Sequence, residues 1–412
     1  MTYIERTHQQ KINQLLETFP AVLVLGARQV GKTTLAKACR PEWRYFDLER
    51  GSDFDFITGD FDLFFREYPT EIIIDEAQES PQLFKELRGA IDRDRTRKNR
   101  FILTGSSSPE ILSAASDSLA GRIGIIELGT LKLSEQASLP LSDFFQILSG
   151  PLSGENLQQL RKLDVRSECD FIDHMLHGGY PEPATALSDA GFQLWMENYH
   201  RTYIDRDVRK LFPRLDSVKY RRFVTMLANL SGTTINKAQL GRSIDTSEVA
   251  VRDYLEVAAQ TFIWRNLPSY EGSAIKSTIK MPKGLFRDSG LLNHLLKITN
   301  REQLIHSPLV GQHFESAVIE ELIKGFEAAD TNQWSYHYYR TRNGAEVDLI
   351  MDGSHGAVPI EIKFGSSTKI RQLTSLTRFI KDNHLPLGIV INNSQEIRML
   401  SDQIIQIPVT AI

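Results

Sequence analysis

Residues 21–35 read AVLVLGARQVGKTTL, and the fold of the N-terminal part follows from them. Ala21 to Leu25 is an unbroken apolar run, the pattern of a short strand buried on both faces. It passes directly into Gly26-Ala27-Arg28-Gln29-Val30-Gly31-Lys32-Thr33, which fits G-x-x-x-x-G-K-[ST] at every fixed position. The spacing has a chemical reason. Gly26 and Gly31 permit backbone dihedrals that a Cβ forbids, so successive amides turn toward one anion. A helix beginning near Lys32 adds the positive end of its dipole. In this pattern the loop from Gly26 through Thr34 cradles a nucleoside triphosphate. Lys32 reaches the β- and γ-phosphates, and the Thr33 hydroxyl ligates Mg²⁺. Arg28 faces either the nucleotide or a neighbouring segment.

Outward from this loop, residues 1–18 pattern as an amphipathic helix with Ile4, Ile12, Leu15 and Leu16 on its apolar side, expected beside the first strand. Further strands are expected at 43–48, 71–76, 100–105 and 124–128, with helical patterns between several of them. That alternation makes an α/β parallel sheet. Ligands of such sheets gather at the carboxyl ends of the strands. Asp75 stands there, placed to hold the Mg²⁺ shell opposite Thr33. Glu76 follows, able to orient or deprotonate an attacking water. Thr104 ends the next strand with a hydroxyl for that water or the γ-phosphate. Arg122, in Ser118-Leu-Ala-Gly-Arg122, is a candidate for stabilising transition-state charge, in cis or from a neighbouring copy. Pairing with a surface carboxylate is its competing use.

Taken together, the glycine-rich loop, Ile72-Ile-Ile-Asp75-Glu76, Leu103-Thr-Gly-Ser106 and Ser118–Arg122 give the chain a family likeness. It resembles prokaryotic AAA-type ATPases of uncharacterised role, in which the ATPase is fused to a C-terminal domain of unknown function. The resemblance covers essentially the whole chain and implies ATP as the nucleotide. The residues themselves show no base-specificity motif.

Composition bounds the rest. A length of 412 residues exceeds one ordinary domain, and 41% hydrophobic with 24% charged residues is globular. No apolar run reaches the roughly 18 residues that span a bilayer. Residues 1–11 lack the apolar core of an export signal. Cys39 and Cys169 lie far apart and in no metal-ligand spacing, which fits a reducing cytoplasm. The net charge of −4 excludes a uniformly basic nucleic-acid binder. Yet residues 201–288 hold sixteen lysines and arginines against nine aspartates and glutamates, a net +7 that leaves −11 elsewhere. Such a stretch suits an anionic partner, and a solvated surface as well.

Residues 134–210 pattern as helices and loops without a catalytic signature, and His174 and His177 lack a third metal ligand. Helices are expected at 220–230, 235–244 and 245–259, the last opened by Asp245 and Glu248 as a capping box. Strands at 261–265 and 279–286 would flank a loop containing Gly272. Three helices and a hairpin are the outline of a winged helix, in which Lys237, Arg242, Ser247 and Arg252 meet a phosphate backbone. Packing against its own ATPase domain or a protein partner is the alternative, and the net +7 tips the reading toward DNA.

Beyond residue 310 the pattern returns to α/β. A helix from Gly311 to about 326 precedes strands at 334–340, 345–351 and 358–363, a helix at 369–383 and a strand at 387–391. Glu361 and Lys363 stand two apart on one strand and share a face. Asp348, with Glu346, is on the strand before, and Glu315 is on the helix. Clustered carboxylates bind a hard cation. The arrangement is similar to the PD-(D/E)xK nuclease core, with Val347 where that motif has proline. The resemblance implies that Glu315, Asp348 and Glu361 hold Mg²⁺ and that Lys363 steadies the attacking water.

The expected architecture is therefore 1–133 AAA-type P-loop ATPase core, 134–210 helical lid or linker, 211–298 winged helix, and 299–412 nuclease-like domain. The expected protein is a cytoplasmic, Mg²⁺-dependent ATPase acting on DNA, with a homo-oligomer or a protein partner possible and no membrane contact. The alternative is a nucleotide-controlled interaction switch whose nuclease-like domain does not cut.

Overall fold

β1 (Ala21–Leu25) is buried at all five positions because it runs through the middle of a sheet covered on both faces. With β2 (Arg44–Asp47), β3 (Ile72–Asp75), β4 (Phe101–Gly105) and β5 (Ile123–Glu127) it forms a five-stranded, all-parallel sheet in the order 2-3-4-1-5. The computed structural model describes residues 3–412 apart from 107–110, 112–114, 116, 153, 187, 210–211, 214, 272–280 and 330–333. Each expected strand of this sheet is present within two residues. The first helix starts at His8 and not at residue 1, so Ile4 lies outside it; His8–Thr18 turns Ile12 and Leu16 into the core and packs beside β1 as expected. On one face of the sheet, Leu23, Ile74 and Leu103 meet Leu83, Phe84, Leu87 and Ile91 of the helix Gln82–Arg93 in one apolar cluster.

The chain divides into two compact units. One is Glu5–Thr130 with Gln260–Phe262; the other is Leu131–Ala259 and Ile263–Ile412 with Met1–Ile4. In the second unit, helices Ser217–Ala228, Lys237–Ser243 and Glu248–Gln260 stand with a small antiparallel sheet. That sheet is β6 (Thr233–Thr234), β7 (Trp264–Leu267) and β8 (Lys283–Phe286), with β8 in the middle. Two local expectations are corrected here. The strand expected at 261–265 starts three residues later because the preceding helix ends in a left-handed residue. Phe262 has φ 59°, and the Ile263 amide donates back to the Ala258 carbonyl, closing a Schellman-type stop. The capping box of Asp245 and Glu248 does not form. Asp245 is itself left-handed, with φ 54°, and the cap is Ser247, whose hydroxyl accepts from the Ala250 amide. Gly272 and the first two residues of the strand expected at 279–286 lie outside the described residues, and the last four residues of that strand are β8.

A six-stranded mixed sheet closes the chain, in the order 13-14-12-11-10-9. Its strands are β9 (Ser335–Arg340), β10 (Glu346–Gly353), β11 (Gly356–Lys363), β12 (Gly388–Asn392), β13 (Arg398–Ser401) and β14 (Ile404–Pro408). β13 and β14 were not expected. β12 is buried throughout because β11 and β14 both flank it in parallel. The 20-residue helix Val310–Ala329 lies on this sheet, with Phe314, Val318, Leu322 and Phe326 in its core. The same core takes in Phe144, Phe145, Phe171 and Met175, so the helices after residue 134 are built into this unit. Among the described residues no helix is long and apolar enough to cross a membrane.

Candidate functional site

Two clusters of buried polar side chains carry the residues singled out in the sequence, one in each unit. In the first, β1 delivers the glycine-rich loop and the helix Lys32–Cys39 carries the chain away. The two glycines serve different ends. Gly31 is left-handed, with φ 92°, as the loop chemistry requires. Gly26 is needed for space, since a Cβ there would stand 2.3 Å from the Leu128 carbonyl oxygen. The second left-handed residue of the loop is Gln29, with φ 65°. The Lys32 ammonium donates to the carbonyls of Gly26 at 3.1 Å and Ala27 at 3.0 Å, and so spans the loop from inside. Arg28 faces away toward Glu49, at 3.6 Å.

Asp75 is where three elements meet. Its Oδ2 accepts from the Thr33 hydroxyl at 2.7 Å and from the Tyr45 hydroxyl at 2.7 Å, and its Oδ1 accepts from Thr104. Parallel pairing sets Asp75 and Thr104 at neighbouring strand ends with Tyr45 on the adjacent strand, and Thr33 comes from the helix that follows β1. Burial, and then the bond to Asp75, raise the Tyr45 pKa well above the ordinary phenol range. Glu76 turns out of β3 in the left-handed region, with φ 53°. Its Oε2 accepts from the Gln78 amide at 2.5 Å, while the Gln78 carbonyl oxygen accepts from the Ser106 amide at 3.2 Å. Gln78 thus ties the strand end carrying Glu76 to the one after Thr104. Arg6 is buried and donates to the carbonyls of Val30 and Gly129, at 2.8 Å each, bracing the loop from behind. Sequence reasoning missed Tyr45, Gln78 and Arg6. The tyrosine lies inside an expected strand, and nothing local in the sequence points it at Asp75. Arg122 forms a two-pronged pair with Asp92 of the helix Gln82–Arg93, at 2.8 and 3.1 Å. This is the competing use weighed for it.

The second cluster is carried by β10, β11 and the helix Val310–Ala329. Leu349 pairs with Ile360, so Asp348 and Glu361 lie one step beyond on one face. A register shift between Val347 and Ile350 on the β9 side marks a bulge at Asp348, the device by which strands re-aim a side chain. Asp348 Oδ2 accepts from the Ile362 amide at 2.7 Å and lies 3.8 Å from the Lys363 ammonium. Lys363 reaches Glu361 Oε1 at 2.6 Å. The other Glu361 oxygen is buried without a hydrogen-bond partner. Glu315, Glu346 and Asp348 each offer a carboxylate oxygen, all within 4.8 Å of one another. Burial first, and the Asp348 charge second, push both Glu315 and Glu361 up to about 8. Crowded, desolvated carboxylates with one orphaned oxygen fit a hard divalent cation.

One member was not foreseen. Lys283 of β8 pairs with Glu315 and stands 3.0 Å from Glu346 Oε1, almost wholly buried. Burial alone lowers a lysine pKa, but Glu315, Asp348 and Glu346 outweigh it and raise this one. His174 and His177 hold no such cluster. His174 bridges Gln136 and Glu321, and His177 faces Asp173 and Asp189.

Comparison with known proteins agrees with the first cluster. Residues 18–137 match the family described as an AAA domain. Residues 168–302 and 310–412 match two domains of unknown function, DUF8612 and DUF4143. Among solved structures, the Walker-type ATPase PABY2304 of Pyrococcus abyssi is 15% identical, with a TM-score of 0.37 over 71% of this chain and 96% of that one. The RuvB Holliday junction branch migration motor of Thermotoga maritima is 16% identical, with a TM-score of 0.30 over 64% and 90%. Neither likeness is close. The N-terminal unit is an AAA-type P-loop domain, a fold that supports ATP binding and hydrolysis. Over 405 residues the chain is 31% identical to uncharacterized protein Rv2008c of Mycobacterium tuberculosis and to uncharacterized protein Mb2031c of Mycobacterium bovis, covering 98% of itself and 83% of each. The chain therefore belongs to the family of these mycobacterial proteins.

Proposed function

We propose that this protein binds and hydrolyses Mg·ATP in its N-terminal unit and acts on DNA through a winged-helix module, 211–298, and a metal-dependent nuclease-like domain, 299–412. The observation that carries the ATPase reading is Asp75, gripped by Thr33 and Thr104 beside the loop of Lys32. In the proposed roles, the amides of Gly26 to Thr34 and the Lys32 ammonium hold the phosphates. Thr33 and Asp75 hold Mg²⁺, which offsets the charge of the triphosphate. Glu76 orients the attacking water, and Thr104 keeps Asp75 in place. Arg122 retains a role only if a partner or nucleotide draws it from Asp92. Replacing Lys32 with alanine should abolish Mg·ATP binding in calorimetry. Affinity unchanged by that substitution overturns the reading.

For the C-terminal domain, what supports a nuclease is the cluster of Glu315, Glu346 and Asp348, with Glu361 and Lys363 on the neighbouring strand. These carboxylates would hold Mg²⁺, and Lys363 would steady the water that attacks the phosphodiester. DNA cleavage with Mg²⁺ should be lost in Asp348→Ala and Glu361→Ala. Cleavage retained in both excludes the site. One observation favours the second reading, a protein-interaction switch that does not cut. The helix Glu248–Gln260, which a winged helix would offer to DNA, carries Glu248, Asp253 and Glu256 against one arginine, Arg252, and that arginine sits 3.7 Å from Asp253. A gel shift at two salt concentrations separates the two, because phosphate contacts weaken steeply with salt.

A further inference from the structure

Lys283 is 32 residues from Glu315 in sequence and reaches it only because β8 brings it there. Its backbone is fixed from both sides, opposite Thr234 of β6 and Leu267 of β7. The side chain is 2% exposed, and its ammonium lies between Glu315 and Glu346. Those are two of the three carboxylates whose oxygens gather within 4.8 Å. The oxygens that would face a divalent ion thus face an ammonium. Lys363 differs: it is 40% exposed and engages only one oxygen of Glu361, leaving the buried second oxygen without a partner.

We propose that Lys283 is a tethered occupant of the cation site, which a divalent ion must displace from Glu315 and Glu346 in order to bind. The inference rests on the reading of Glu315, Glu346 and Asp348, with Glu361 beside them, as an ion site. Its logic is competition for the same lone pairs. An ammonium hydrogen-bonded to a carboxylate oxygen and a Mg²⁺ or Mn²⁺ ion coordinated to that oxygen are both cations, and both need the same face of it. At contact distance, in a buried site, they also repel each other. The lysine stem is flexible, so the ammonium can swing out while β8 stays paired. Mn²⁺ affinity is therefore held down by the chain itself, and the domain rests ion-poor.

The test is Mn²⁺ binding to the full-length protein without nucleotide, read from the free-ion electron paramagnetic resonance signal. Lys283→Met and Lys283→Gln should each bind about tenfold tighter than wild type or better, and adding Asp348→Ala should remove that gain. Equal or weaker binding in the lysine variants overturns the inference, since a lysine that merely orients the carboxylates gives a loss. If no protein shows Asp348-dependent binding, the ion-site reading itself fails and takes the inference with it. A wild-type measurement covers variants that do not fold. In amine acylation followed by mass spectrometry, saturating Mn²⁺ should raise the labelling of Lys283. Lys283 equally protected with and without bound Mn²⁺ also overturns it.

Discussion

At Asp75 one carboxylate accepts three hydroxyl donors, from Thr33, Tyr45 and Thr104. Hydrogen bonds to an ionised acceptor contribute about 1.5–3 kcal/mol each, so the carboxylate is positioned before any ion arrives. Tyr45→Phe removes one donor and leaves the other two. It should bind Mg·ATP normally but need about three- to tenfold more Mg²⁺ for half-maximal phosphate release, at about 1 kcal/mol per fivefold change. Asp75→Asn should abolish turnover. An unchanged Mg²⁺ requirement in Tyr45→Phe would make that hydroxyl a bystander. Glu315 and Glu361 make a prediction of opposite character. Both are pushed up to about 8, above the ordinary carboxylate value of about 4.3. Between those limits the folded chain holds more protons than the unfolded one. Their contribution to stability is full on the acid side and is lost as pH rises toward 8. The urea midpoint of the ion-free protein should therefore fall across this window, and Mn²⁺ should flatten the fall. A Glu315→Gln, Glu361→Gln double variant with the same slope as wild type would refute the assignment.

The helix Val310–Ala329 shows what an element adds to its residues. Three glutamates anchor it: Glu315 to Lys283, Glu320 to Arg265 at 2.6 Å, and Glu321 to His174 and the Leu133 amide, with Lys324 of the same helix 2.5 Å from Glu321. Glu321 is buried, yet Lys324 and His174 outweigh burial and hold its pKa below the usual carboxylate range. Glu321→Gln leaves Lys324 buried opposite a neutral group. Breaking one side of a buried pair typically costs about 3–5 kcal/mol, so denaturant unfolding of this unit should show a loss of that order. A change under about 1 kcal/mol would place the helix's anchorage in its apolar face alone. This helix was legible from its apolar spacing, and so were β1, β3, β4 and β11, because continuous burial leaves continuous apolar runs. Asp75 and the glycine-rich loop were legible because their chemistry is local in sequence. The rest was carried by pairing that no local pattern encodes. Lys283 meets Glu315 across a small sheet, and Asp92 meets Arg122 across thirty residues. The bulge that aims Asp348 belongs to its pairing with β9. Phe262 in a left-handed conformation stops a helix where its sequence reads as the start of a strand.

The chain divides into two compact units, and that division sets how ligands should act on it. One apolar cluster draws its fully buried residues from positions 21 to 119, around the parallel sheet. Another draws them from positions 133 to 412, around the mixed sheet. A ligand bound to one unit stabilises that unit by mass action, about 2.7 kcal/mol at a hundredfold excess over its dissociation constant. Mg·ATP should therefore slow hydrogen exchange at the amides of β1, β3, β4 and the helix Lys32–Cys39. Mn²⁺ without nucleotide should slow it at β10, β11 and the helix Val310–Ala329. The Lys32→Ala variant should lose the first effect and keep the second, and Asp348→Ala should do the reverse. Exchange that slows everywhere with either ligand would mean that the chain opens as one cooperative block. The two clusters would then have no separate thermodynamic identity, and a nucleotide bound at Lys32 would be felt at Asp348 through stability alone.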